Sequence, residues 1–293
     1  MGGLADRAEE LFFRLGTAAN ERGSAYWQDQ PAQLQLSLRY QELADTGRPL
    51  PRLADVGWRR YSQFDEDGQL LFLLAVLGMG GRRIVDIGCG RPMGGNATNL
   101  LVNWGWSGLG IDGDGDNIRA AKRWYRRNRA TMFAPPQLRT EVVSPDNLAT
   151  LLAEAHMADR LDVCSIDVDG LDYWLWEALA TTPRIMVVEF NAQLPSDRAI
   201  TVPRRAPITT PEANRAGHIG ASLAALVKLG RARGYRFVGV SAGVNAWFVH
   251  ESEPRANLLP EADVAEVLDR PVSAYRRPPR GDDPVLALDW VEV

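Results

Sequence analysis

Residues Ile84 to Thr98 read Ile-Val-Asp-Ile-Gly-Cys-Gly-Arg-Pro-Met-Gly-Gly-Asn-Ala-Thr, a strand, a glycine turn and a helix start, and their reading decides the fold. The β-branched run from Arg83 to Ile87 stops at Gly88 and Gly90, and apolar residues at helical spacing resume at Leu100, Leu101 and Trp104. Glycine at both turn positions lets the backbone bend tightly and come close to a ligand. By itself a Gly-x-Gly after a strand is weak evidence, since a plain tight turn can carry the same residues. The next apolar run, Gly108 to Asp112, ends in a carboxylate at roughly the ~20-residue offset of a ribose-binding acid. Asp86 and Asp112 are therefore expected on neighbouring strand ends.

Working outward, Leu138 to Val143 predicts a third strand and Asn147 to Ala155 a helix with Ser144 or Asp146 as its cap. Val163 to Asp167 predicts a fourth strand, followed closely by Asp169 and Asp172. Ile185 to Glu189 predicts a fifth, running into Phe190 and Asn191. Alternating strands and helices mean a doubly wound, mostly parallel α/β sheet, whose ligands gather at the carboxyl ends of the strands. All of these acids fall on that edge. Tyr235 to Val240 and Ala246 to Val249 are too close in sequence for a crossover and must pair as an antiparallel hairpin.

Upstream, Leu4, Ala8, Leu11, Phe12 and Leu15 share a helical stripe, and a second helix is expected from near Pro31 toward Leu43. Thr46 to Pro51 breaks that pattern. Residues 1–60 thus read as a helical N-terminal extension, through which a homodimer could form, 61–250 as the core and 251–293 as a C-terminal extension. The segment from Tyr61 to Gly68 precedes an apolar helix, with Ser62 or Asp65 as candidate caps and Glu66 and Asp67 suited to the positive end of its dipole. Residues 192–217 lack periodicity and hold four prolines. A loop so long predicts a lid over the site.

Composition removes several classes. The 293 residues carry a formal charge of −4 and two cysteines, Cys89 and Cys164, both in or beside buried strands, so no disulfide framework or zinc cluster is implied. Acids within the first apolar stripe argue against a signal peptide, and a cytoplasmic protein without membrane association is expected. The basic run Arg119 to Arg129 reads as a solvated helix face rather than a nucleic-acid track, because no further cationic stretch continues it.

The terminal hairpin is unlike a nicotinamide-binding domain and matches the fold of class I S-adenosylmethionine-dependent methyltransferases. The set Ser62-Gln63 with Glu66-Asp67-Gly68, Gly105 to Gly108, Ser165 to Trp174, Val188 to Asn191, Gly220 to Leu223 and Gly243 to Ala246 resembles the FkbM-like branch of that class, in order from Tyr61 to Val249. One departure is Pro92, which stands where a third glycine is common. The resemblance implies S-adenosylmethionine as cofactor and a small-molecule acceptor, such as a sugar or natural-product hydroxyl undergoing O-methylation. It also implies that Gly88, Cys89 and Gly90 present backbone to the methionine moiety, that Asp86 orients its ammonium through the loop, that Asp112 accepts from the ribose, and that Gly113, Val143 and Ser144 flank adenine.

Such a reaction needs in-line positioning and removal of a proton. Asp167, Asp169, Glu189 and His218 are the candidate bases. Oxygen ligands from Asp167, Glu189 and Asn191 would suit magnesium. The metal-dependent macrolide-sugar methyltransferases, similar in their acids, have a histidine where Gly170 stands. The competing readings are a protein that binds the cofactor for other chemistry or for an accessory role, and a nucleic-acid methyltransferase. Against the second, no Asn/Asp-Pro-Pro-Tyr signature follows the fourth strand.

Overall fold

In the computed structural model, residues 25–204, 217–242, 245–269 and 284–293 are described. The expected helix over Leu4 to Leu15 lies outside them. Two compact units divide between Pro49 and Leu50, earlier in the chain than the expected boundary at Tyr61.

Helix α1, Ala25–Asp45, is the long element of the first unit among the described residues. It begins ahead of Pro31 and carries that proline inside, where the sequence pattern had put the start. Its last turn is closed by the Thr46 hydroxyl, which donates to the Glu42 carbonyl at 2.6 Å.

The second unit is built on a seven-stranded sheet ordered β3-β2-β1-β4-β5-β8-β7. Its strands are β1 (Arg83–Ile87), β2 (Ser107–Asp112), β3 (Gln137–Thr140), β4 (Val163–Ile166), β5 (Ile185–Glu189), β7 (Tyr235–Val240) and β8 (Asn245–His250). The pairs from β3 through β5 are parallel, while β8 lies antiparallel to both β5 and β7. A doubly wound Rossmann-like sheet with one reversed strand next to its edge is thus the observed architecture, as expected. Strand β3 stops at Thr140 rather than Val143, because after one more bond from Glu141 N to the Asp112 carbonyl the edge chain turns toward the next helix.

Helices cover both faces: α2 (Glu66–Leu77), α3 (Thr98–Asn103) and α4 (Gly115–Arg127) follow one another early in the chain, then come α5 (Leu148–Glu154), α6 (Asp172–Ala178), α7 (Leu223–Ala232) and α8 (Val264–Asp269). Alternation along the strands sends Val85, Ile87, Cys164, Ile166, Met186 and Val188 into a core shared with α5, α6 and α7. The opposite side chains, Ile84, Asp86, Ser165, Val187 and Glu189, face the other way. Helix α2 is buried along its whole length, so its acids must be satisfied internally. Asp67 Oδ2 accepts from the backbone amides of Arg60, Tyr61 and Ser62 at 2.6–3.0 Å, and Ser62 Oγ accepts from Asp67 N. Ser62 therefore caps the helix, whereas Asp65 accepts from Ala242 N at 2.7 Å in the β7–β8 turn.

The segment expected to be a lid is partly framework. Ile200–Thr201 forms β6, antiparallel to β9 (Val291–Glu292), and Ile200, Leu194 and Val285 make a small core of their own. Two residues of strand are too few to show a period. Residues 205–216, the rest of the expected lid, lie outside those described.

At the amino edge of the sheet, Arg184 donates to Asp162 Oδ1 at 3.2 Å, to Glu253 Oε2 at 2.7 Å and to the Leu77 and Gly78 carbonyls at the end of α2. Asp162 also accepts from the amides of Gly81 and Arg83. Replacing Arg184 with methionine leaves two largely buried carboxylates without their cation and should cost about 3 to 5 kcal/mol, measured by urea unfolding at neutral pH. A loss below about 1 kcal/mol would mean that water takes over the cation's role.

Candidate functional site

Local sequence explains how the glycine turn is held. Gly88 has φ +80°, and a Cβ there would fall 1.6 Å from the Asp167 carbonyl oxygen, so only glycine lets the end of β1 touch the end of β4. The amides of Gly88 and Cys89 both reach the Ile111 carbonyl, at 2.8 and 3.1 Å. Gly90 is different. It has φ +55°, and a Cβ there would meet nothing within 4 Å, so its free side is open. Its N–H donates to Asp112 Oδ2 at 2.7 Å, while Asp112 Oδ1 accepts from Asp114 N at 2.7 Å. Each Asp112 oxygen keeps a lone pair, which a ribose hydroxyl can use.

The loop beyond is anchored despite Pro92. Gly94 N donates to the Tyr61 carbonyl at 2.6 Å, and Arg91 Nε donates to Asn117 Oδ1 at 3.1 Å. The Cys89 thiol points inward, to where a Cβ on Gly110 would meet its Sγ at 2.9 Å, and burial pushes its pKa up. It stays a neutral packing group. Under the loop, Asp86, Cys89, Leu101, Gly110 and Tyr125 help to line a cavity of about 20 Å³, room for one water and far too small for a nucleoside.

Asp86, 4% exposed, accepts from Ala97 N at 3.2 Å ahead of α3 and from the Ser165 hydroxyl. Ser165 in turn accepts from Asn96 Nδ2 at 3.0 Å. Burial raises the Asp86 pKa from 3.8 to about 6 against the pull of these donors.

Beyond Asp112, the structure brings Gly113 close to the chain after β3: a Cβ on Gly113 would lie 3.4 Å from Val142 Cγ2. Strand-like alternation turns Val143 into the core and leaves Val142 43% exposed. Of the two, Val142 fronts the Asp112 loop. Ser144 N donates to Asn147 Oδ1 at 2.8 Å, and neither Ser144 nor Asp146 caps α5, whose first position follows Asn147 without a side-chain cap.

Asp167, Asp169 and Glu189 converge, each offering an oxygen within 4.8 Å of the others. Asp167 and Glu189 are hydrogen-bonded to each other, and both pKa values are raised, first by burial and then by neighbouring acids, Asp172 for Asp167 and Asp167 itself for Glu189. Both shifts run toward the protonated form, which relieves the repulsion between two buried acids at this range. Asp169, also raised by burial, sits at φ +55°, a conformation rare for a residue with a Cβ and found most often where surrounding structure enforces it. Asp172 supplies that enforcement: its two oxygens take the amides of Val168 and Gly170 at 2.8 and 2.9 Å and fold the loop that carries Asp169.

Two expected participants are engaged elsewhere. Asn191 Nδ2 donates to the Gly217 and Ile219 carbonyls at 2.8 and 3.0 Å, and its Oδ1 accepts from Gln193 N; the third carboxylate beside Asp167 and Glu189 is Asp169. His218 Nε2 bonds the Asp289 carbonyl at 2.8 Å with its ring edge-on to Trp290. A carbonyl only accepts, so Nε2 carries the proton and Nδ1 is the basic nitrogen.

One residue was missed. Asn245 stands across from Glu189 in the β5–β8 register, 4% exposed, with Nδ2 on Glu66 Oε1 at 3.1 Å and Oδ1 buried without a partner. Its motif, Gly243 to Ala246, was visible in the sequence, but its place opposite Glu189 depends on β8 inserting beside β5.

No family model matches the chain, and no curated protein matches it. Solved structures similar to it include the magnesium protoporphyrin IX methyltransferase of Synechocystis PCC 6803 with bound SAM, 15% identical over 66% of this chain and 86% of that one at a TM-score of 0.34. A SAM-dependent methyltransferase from Methanosarcina mazei is 15% identical over 57% and 90%, TM-score 0.32. A bifunctional kinase-methyltransferase is 13% identical over 80% of this chain and 42% of that one, TM-score 0.35. Likenesses this distant assign nothing to individual residues.

Asp86 gives the site a pH signature. A folded pKa of about 6 against 3.8 unfolded means that its contribution to stability is full below pH 3.8 and is lost as pH rises to about 6. Asp86→Asn should therefore flatten the fall in urea stability across that window and gain up to about 3 kcal/mol at pH 7. A variant whose stability falls as steeply as the parent's would refute the assignment.

Proposed function

We propose that the chain is an S-adenosylmethionine-dependent methyltransferase acting on a hydroxyl of a small molecule, in keeping with its resemblance to the FkbM-like branch. The observation that carries this reading is the neighbourhood of two features on one sheet edge: an open glycine turn clamped to Asp112, and a carboxylate trio at the ends of β4 and β5. The first suits a nucleoside with an attached amino acid. The second suits removal of a proton from an acceptor.

The cofactor supplies an already activated methyl group, so the protein's part is to orient, exclude water and take a proton. Asp112 receives the ribose hydroxyls and Val142 packs beside the base, with Gly113 leaving room. Gly90 offers an uncrowded backbone to the amino-acid end. Asp167, held against Gly88, shares its proton with Glu189, and the ionised partner of the pair takes the proton that the acceptor hydroxyl gives up. Asp169 and Asn245 Oδ1 are further acceptors for donors on the substrate.

Three carboxylate oxygens at this spacing are also the hard donors that a divalent cation such as magnesium prefers. Asp167, Asp169 and Glu189 would hold it, and it would supply a lowered pKa for a bound hydroxyl.

Calorimetry with S-adenosylhomocysteine is expected to show binding that Asp112→Ala weakens by about 1 to 3 kcal/mol. No binding by folded protein removes the reading. Asp167→Asn should bind S-adenosylhomocysteine as the parent does yet lose roughly 10² to 10⁴ in methyl transfer from labelled cofactor to hydroxyl acceptors. Chelator distinguishes the two forms of the chemistry: activity restored by magnesium means a cation at the acids, and activity indifferent to chelator means the proton pair alone.

A further inference from the structure

The far end of α4 carries features that methyl transfer does not use. The helix buries Ile118, Ala121, Trp124 and Tyr125 against the sheet and exposes Lys122, Arg123, Arg126 and Arg127. None of these four has an ion-pair partner among the described residues, whereas Arg119, one turn earlier, is bonded to Asp116. The turn that follows is built rather than loose. Asn128 Oδ1 accepts from Ala130 N at 2.9 Å, the Asn128 carbonyl accepts from Thr131 N and Met132 N, and the buried Thr131 hydroxyl donates to the Tyr125 carbonyl at 2.7 Å.

That turn holds Met132, Phe133, Ala134 and Pro135 out in succession, all exposed, with Phe133 at 91% and Met132 at 43%. Four consecutive apolar residues facing solvent are costly on a globular surface unless something covers them. A nearly fully exposed phenylalanine at the tip of a pinned turn is the extreme case.

We propose that this end of the molecule docks on an anionic lipid bilayer, with Met132 and Phe133 entering the boundary between headgroups and acyl chains and the α4 cations meeting headgroup phosphates. Cations beside a protruding aromatic are the pairing that interfacial binding needs, since neither anchors firmly alone. Phe133, 91% exposed at the tip, is placed to enter a fluid apolar slab. A peptide would need a groove, and a nucleic-acid strand would need successive stacking platforms along a basic track. The net charge of −4 conceals the patch because the acids lie elsewhere.

Topology fixes the consequence for the candidate site. Helix α4 leaves the carboxyl edge after β2 and returns to the amino edge before β3, so its thirteen residues separate tip from site by about 20 Å. A docked molecule keeps its glycine turn clear of the bilayer.

Flotation of the full chain with vesicles tests this. Vesicles of phosphatidylcholine with about a third phosphatidylglycerol should carry the protein, phosphatidylcholine alone should not, and about 0.5 M salt should weaken the association. The exposed variants Met132→Ser with Phe133→Ser, and separately Arg123→Glu with Arg126→Glu and Arg127→Glu, should each lower binding at least about tenfold. S-adenosylhomocysteine binding by the same variants should match the parent, which verifies folding and keeps this outcome separate from the cofactor reading. No association with anionic vesicles overturns the proposal. So does binding that survives loss of Met132 and Phe133, which would be electrostatic contact alone, or a stronger cation-dependent shift with single-stranded nucleic acid.

Discussion

The contact on which the site depends is the meeting of Gly88 with the Asp167 backbone. A side chain at 88 would overlap the Asp167 carbonyl oxygen, and Asp167 N donates to the Ile87 carbonyl at 2.9 Å, so the ends of β1 and β4 are locked at van der Waals distance. Everything that follows each strand inherits that lock. The glycine turn, with Gly90 tied to Asp112, is set beside the acid trio by backbone contacts alone. Pre-positioning of this kind is what a reaction limited by alignment requires.

The same edge is braced from above by the start of α2. Asp67 gathers the amides of Arg60, Tyr61 and Ser62, Tyr61 holds Gly94, Asp65 holds Ala242 and Glu66 holds Asn245. One buried helix start therefore connects the glycine loop to the β7–β8 turn, across the width of the site. The acids from Asp65 to Asp67 each hold backbone or side-chain donors of neighbouring segments.

How much of this was legible in the sequence depends on the range of the interaction. Strands β1 and β5 were both read to the residue, because a strand buried on both faces of the sheet is a continuous apolar run bounded by turn residues. The solvated basic face of α4 was legible from its period. Asp112 was placed by spacing. What was not legible was non-local: β6 and β9 are two residues each and pair across about ninety positions of chain, the Asn191 side chain turns to the Gly217 and Ile219 carbonyls, and Val143 is buried in the core while Val142 is exposed. The exposure of Phe133 could not be read at all, since an apolar residue in a loop is as often covered as bare.

The acids of this protein separate into two kinds by what satisfies them. Asp67, Asp162 and Asp172 each receive at least two backbone amides, which supply the compensation that burial demands and fix a local turn. Asp167 and Glu189 receive no backbone amide among the described residues. Each instead leans on the other, with raised pKa values, and Asn245 beside them keeps a buried carbonyl oxygen without a donor. Asp67 Oδ1 is also buried without a partner, but its other oxygen takes three amides, whereas the pair at the ends of β4 and β5 has no amide at all among the described residues. These acids lie at the carboxyl ends of β4 and β5, where the Asp167 backbone abuts Gly88 of the glycine turn. An acceptor molecule bearing hydroxyl hydrogens, or a hard cation, would satisfy them, and that is the physical reason to look for the chemistry there rather than in the cavity beneath the loop.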